Sequence, residues 1–115
     1  MIPHGVEVYV GLEPIDLRWG FNRLSGIVAE RLTQDARCGA LFVFFGKRRD
    51  ALKVLFFDGT GLCMFYKRLD RGAFRLPLAP DGTTTMLIEE RVLDDLLDGV
   101  DLDPDPKRPR RRVTH

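Results

Sequence analysis

The sequence predicts an α+β fold: a central antiparallel β-meander with an N-terminal strand, one amphipathic helix before the meander and one short acidic helix near the C-terminus. Two observations carry this. Three apolar runs rich in Phe, Val and Leu (Leu41–Phe45, Leu52–Phe57 and Leu62–Tyr66) read as strands, because runs of this length bounded by Gly and charged residues favour extended backbone. The breaks between them, Gly46-Lys47-Arg48-Arg49-Asp50 and Asp58-Gly59-Thr60-Gly61, are too short to hold a crossover helix, so neighbouring strands run antiparallel.

In chain order, Val6–Leu12 alternates Val6, Val8 and Val10 with Glu7, Tyr9 and Gly11, the signature of a half-buried strand ended by Glu13-Pro14. Asp16 stands where a helix N-cap is expected. Phe21, Leu24, Val28 and Leu32, widened by Ile27, form the apolar stripe of a helix over Leu17–Thr33. Gly20 and Gly26 weaken that helix by roughly 1 kcal/mol each relative to Ala, and close packing on the sheet is the plain account of them. The first two strands of the meander, Leu41–Phe45 and Leu52–Phe57, are apolar on both faces, and one helix cannot cover both sides of a sheet. Either the C-terminal helix covers the second face or another subunit does. After the turn at Asp70–Ala73, a short strand is expected over Phe74–Leu78 and another over Thr83–Ile88. Glu89–Asp98 is the second helix, with Val92, Leu93, Leu96 and Leu97 on one side and Gly99 as C-cap. Asp94, Asp95 and Asp98 sit near the negative end of its dipole, where acids are disfavoured, so a basic neighbour is expected there.

At 115 residues the chain accommodates one core, read as a single α+β domain over 1–103, followed by a Pro-rich basic tail, 104–115, expected to be disordered. Charges interrupt every apolar run before it reaches the length of a membrane span, and the first residues carry no basic or apolar leader pattern. A cytoplasmic protein, associated with the nucleoid when acting, is the expectation. Cys38 and Cys63 are expected as reduced thiols, not as a disulfide framework.

Catalysis needs convergent groups, and little converges. His4 and His115 lie near the two ends, and Cys38 and Cys63 lack zinc-ligand spacing to either. The Asp58–Gly61 stretch lacks the Lys-Ser/Thr pair and following helix of a phosphate loop, so it reads as a hairpin turn. Asp16, Asp50, Asp58 and Asp70 could gather around Mg²⁺ only if three of them left turns with basic neighbours. The reading is therefore no enzyme, no catalytic residue, no cofactor and no metal. Charge is more telling. The overall net of +1 hides a stretch, residues 41–75, with eight Lys or Arg against three Asp, and another, residues 76–106, with one Arg against nine acids. Lys47, Arg48 and Arg49 fill the first hairpin turn, while Lys67, Arg68, Arg71 and Arg75 follow the third meander strand. Antiparallel pairing puts these two groups, with Lys53, at one end of the sheet, where together they would bind phosphates in a salt-dependent way. The plain alternative is solvated turn residues that protect an edge from aggregation. A second alternative is a protein-docking role for the acidic helix through Asp94, Asp95 and Asp98.

An ordered series of segments also carries a likeness: Met1-Ile2-Pro3, Val8-Tyr9-Val10, Pro14-Ile15-Asp16-Leu17-Arg18, Gly20-Phe21 and Gly39-Ala40-Leu41-Phe42-Val43-Phe44. It continues through Phe57-Asp58-Gly59-Thr60-Gly61-Leu62, Tyr66-Lys67-Arg68-Leu69, Gly72-Ala73-Phe74-Arg75 and Leu96-Leu97-Asp98-Gly99-Val100-Asp101. The chain resembles the TnpB accessory proteins, the second reading frame of the insertion-sequence family numbered 66, which are unrelated to the RNA-guided nuclease of the same name. The resemblance implies a small bacterial protein encoded beside a DDE-type transposase, TnpC, and a small protein, TnpA, and needed for efficient transposition. It carries over no catalytic residue. Transposon-end DNA, TnpC, TnpA and a second copy of the chain are the partners it suggests. Trp19 stands where a basic residue is usual, and Leu76 and Leu102 where Trp is common, so a partner surface there is not implied.

Overall fold

The computed structural model describes residues 5–75 and 79–98. Seven elements follow one another: β1 (Val8–Ile15), α1 (Phe21–Arg31), β2 (Leu41–Gly46), β3 (Ala51–Phe57), β4 (Leu62–Arg68), β5 (Thr85–Ile88) and α2 (Glu90–Leu97). The strands make one mixed sheet in the order β4-β3-β2-β1-β5. The meander expected from the short breaks is there: β2 pairs antiparallel with β3 and β3 with β4, in a register that sets Phe42 opposite Leu55 and Ala51 opposite Arg68. The first strand joins it parallel to β2, Val8 opposite Leu41, with α1 as the crossover that a parallel pair requires. On the outer side of β1, β5 returns antiparallel.

Strand alternation divides the core into two layers. One face gathers Val8, Val10, Leu41, Val43, Phe45, Leu52, Val54 and Phe56 beneath Leu93 and Leu96 of α2 and the Phe74 ring. The other places Phe42, Phe44 and Leu55 against Leu24, Ile27, Val28 and Leu32 of the α1 layer. Both faces of β2 and β3 are therefore apolar because a helix lies on each side, and α2 fills the face that one helix alone would have left open. The two edge strands are less covered, and Phe65, Tyr66 and Leu87 are exposed.

Several boundaries differ from the sequence reading, each for a local reason. β1 runs through Pro14 to Ile15, because a register shift between Gly11 and Ile15 removes Pro14 from the regular ladder and pairing with β5 has ended by Gly11. α1 begins at Phe21, not Leu17, with Gly20 as an N-cap that lacks a side-chain bond. Asp16 is thus no cap. Its carboxylate accepts the Arg18 N–H at 2.9 Å and the Arg18 guanidinium at 2.7 Å, closing a turn before the helix. Phe21, counted in the buried stripe, is 46% exposed at the helix start. Nor does close packing explain Gly20 and Gly26, since a Cβ at either would meet nothing within 4 Å. The tight approaches lie elsewhere: a Cβ on Gly46 would come within 2.7 Å of Leu17 Cδ1, and one on Gly11 within 3.1 Å of the Phe44 ring. β5 starts at Thr85, two residues after the expected Thr83. Beyond a bridge at Ala73, Phe74 and Arg75 are not in a strand. Residues 76–78, Gly99, Leu102 and the tail at 104–115 lie outside the described residues.

Candidate nucleic-acid interface

The end of the sheet where β2 turns into β3 collects the basic residues, and backbone bonds hold them there. Gly46 O accepts the Arg49 N–H at 3.0 Å to close the turn, with Arg49 at φ 59. The chain leaving β4 then docks on this turn: the Leu69 N–H donates to Asp50 O and the Phe74 N–H to Arg49 O, each at 2.7 Å. Phe74, fully buried with its ring edge-on to Phe45 at 5.9 Å, anchors the return. Lys47, Arg48 and Arg49 of the turn are thereby brought beside Arg68, Arg71 and Arg75. Lys47, Arg48, Arg68, Arg71 and Arg75 are exposed, and Arg49 is half-buried. A hollow of about 300 Å³ opens at this end, lined by Ile15, Leu17, Lys47, Arg48, Asp50 and Arg68. Three of those six are cations and one is an acid.

The other two expected contributors are engaged differently. Lys53 is only 6% exposed, and its ammonium donates to Leu17 O at 2.6 Å and Trp19 O at 2.9 Å while lying 5.0 Å from the Tyr66 ring centroid. It fastens the β1–α1 loop to the sheet, out of reach of a ligand on the rim. Lys67 shows the opposite face, since it pairs with Leu52 on the α2 side, and its ammonium donates to Leu97 O. That bond is the basic neighbour anticipated at the end of α2, where free carbonyls and the dipole favour a cation. Asp94, Asp95 and Asp98 are exposed on the same helix.

The aspartates weighed as metal ligands have local partners or turn positions. Asp58 accepts the N–H groups of Thr60 and Gly61 and the Thr60 hydroxyl, at 2.8, 2.9 and 2.9 Å. Those bonds, led by the Thr60 N–H, hold its carboxyl down at about 2. Asp16 is likewise held at about 2, chiefly by the Arg18 side chain. Among the described residues no three His, Cys, Asp or Glu side chains are grouped to hold a metal ion. Burial and the neighbouring Asp58 push the Cys63 thiol up, while Cys38 is exposed, and both are free. Among the described residues no helix is long and apolar enough to cross a membrane.

The residues that sequence reasoning passed over lie beside the rim. Tyr66 is 46% exposed, and its hydroxyl accepts from Arg68 Nη2 at 3.0 Å. Trp19 carries the Arg23 guanidinium 4.7 Å from its ring centroid. The signal available was an aromatic next to a Lys-Arg pair at Tyr66-Lys67-Arg68.

The family model described as IS66 Orf2 like protein matches residues 6–107, nearly all of the chain. The chain belongs to this family. Membership ties it to insertion-sequence transposition in an accessory role. Two relatives from Sinorhizobium fredii (strain NBRC 101917 / NGR234) are similar along most of the length of this IS66 Orf2-like chain. One, uncharacterized protein y4jC, is 36% identical over 110 residues, which is 96% of this chain and 92% of that protein. The other, uncharacterized protein y4hO, is 42% identical over 103 residues, 88% of each. No solved structure matches.

Proposed function

We propose that this chain is a non-catalytic accessory protein of transposition that binds DNA phosphates through the basic rim at the β2–β3 turn. The observation that carries this reading is the docking of the 69–74 segment on the turn, which brings Arg68, Arg71 and Arg75 to Lys47, Arg48 and Arg49. Cations from two stretches some twenty residues apart thus share one edge, and a set of this kind displaces counterions from a polyphosphate. The protein acts as one domain over residues 1–103, and the tail at 104–115, with five Lys or Arg and one acid, adds charge to the same task.

Fluorescence anisotropy on labelled terminal-repeat DNA of the element tests this. Affinity falls steeply between 50 and 200 mM salt, by about tenfold or more if three or more phosphates are neutralised. The Arg48→Glu/Arg68→Glu double variant loses binding, while Lys53→Met leaves the salt slope unchanged. Absence of any shift at low salt removes the reading.

The exposed acids of α2 favour a second role that is compatible with the first. Asp94, Asp95 and Asp98 face outward from a helix whose end is capped by Lys67, and they offer a docking face for a basic surface of the transposase. Co-purification with the transposase that survives Arg48→Glu/Arg68→Glu but not Asp94→Lys/Asp95→Lys supports this role. The reverse pattern removes it.

A further inference from the structure

We infer that the rim takes single-stranded DNA in preference to duplex, with a base stacked on Tyr66. The inference rests on the phosphate-binding reading above and names its substrate.

One exposed aromatic on an edge strand is ordinary. What surrounds Tyr66 is not. β4 sets Tyr66 opposite Lys53 and Arg68 opposite Ala51, so Tyr66 and Arg68 stand two residues apart on the same face of the sheet. The Arg68 guanidinium is tied to the Tyr66 hydroxyl at 3.0 Å, and Arg68 also lines the hollow with Lys47 and Arg48. The ammonium of Lys53 backs the ring from the interior at 5.0 Å, which fixes the ring against the sheet and leaves 46% of the residue exposed. Because that ammonium is also bonded to Leu17 O and Trp19 O, the loop carrying Trp19 borders Tyr66. Phe65, by contrast, pairs with Val54 and belongs to the α2 side of the sheet.

An aromatic face held still beside a row of guanidinium and ammonium groups suits a strand whose base faces are open. Stacking on an aromatic is independent of sequence, because every base offers a π-face. A duplex keeps its base faces in the stack and presents only phosphates, so it would use the cations and leave Tyr66 idle.

The test compares a labelled oligothymidylate of roughly 16 nucleotides, within the span such surfaces cover, with a mixed-sequence duplex of the same length. Wild type binds the single strand more tightly. Tyr66→Leu, which keeps an apolar β4 edge, weakens single-strand binding by about tenfold, the order of one lost stacked base, and lowers the ratio of single-strand to duplex affinity. Tyr66→Phe retains the ratio. Circular dichroism establishes that each variant is folded. Equal affinity for both forms together with no effect of Tyr66→Leu overturns the inference and leaves phosphate binding standing. No binding of either form overturns both.

Discussion

At the scale of single residues, Lys53 shows how position outranks charge. On β3 it would serve a rim as well as Arg48 does if its side chain pointed outward, yet the strand turns it under the β1–α1 loop onto two carbonyls. Lys53→Met keeps the aliphatic stem and removes the donor, leaving Leu17 O and Trp19 O without it. A loss of about 2 kcal/mol in unfolding free energy is expected, since an abandoned buried acceptor costs roughly that much. Urea denaturation reads it as a lower midpoint at unchanged slope, and an unmoved midpoint means that water replaces the ammonium without penalty. Asp58 acts at the opposite hairpin. Its folded carboxyl titrates at about 2, below the unfolded value, so it adds stability that is complete above the unfolded pKa and disappears as pH falls through about 2. The Asp58→Asn variant accordingly loses less stability than wild type between about pH 4 and pH 2. Parallel acid limbs for the two proteins would contradict the bonds to Thr60 and Gly61.

At the scale of elements, α2 carries the larger consequence. It has only two turns of its own, too few for a helix to persist in isolation, so docking must hold it. Leu93, 1% exposed, and Leu96 seal the face formed by Val8, Val10, Val43 and Val54. Leu93→Ala is expected to cost about 3 kcal/mol, in the range of a buried leucine deletion, and to uncover that face to a hydrophobic dye. A cost below about 1 kcal/mol would mean that α2 does not close the core. The C-terminal end explains the acids that local physics disfavours. Lys67 supplies the compensating cation to Leu97 O, which leaves the aspartates free to face outward. The α1 boundary carries a different lesson. A capping residue in the right place for a helix start became an Asx-type turn, because Arg18 lay two residues on and offered both an N–H and a guanidinium.

At the scale of the whole molecule, charge segregation along the chain becomes segregation in space. The 41–75 stretch folds so that its turn cations meet at the β2–β3 end, while Glu90, Asp94 and Asp95 of the acidic stretch lie on α2. Salt therefore acts on the rim as a unit. Raising it from 50 to 200 mM should weaken single-strand binding through the phosphate contacts while leaving the Tyr66→Leu penalty nearly constant, because stacking releases no counterions. A Tyr66→Leu penalty that vanishes at high salt would place Tyr66 among the electrostatic contacts and not on a base.

Much of this protein was legible in one dimension because the relevant interactions are short in sequence. Apolar runs bounded by Gly and charged residues defined the three meander strands, the four- and five-residue breaks required hairpins, and the Asp58–Gly61 turn followed from its residue types. The common end shared by the two basic clusters followed from antiparallel pairing alone. What the tertiary structure decided depends on contacts between distant parts of the chain. The parallel insertion of β1 beside β2, the covering of the second sheet face by α2, and the side from which each cation emerges all belong here. Lys53 and Lys67 do not differ in charge from Arg48 and Arg68, and Lys67 even adjoins Arg68 in the chain. They differ in which carbonyl, arriving from more than thirty or exactly thirty residues away, lies within reach of the ammonium, and only the packed fold places it there.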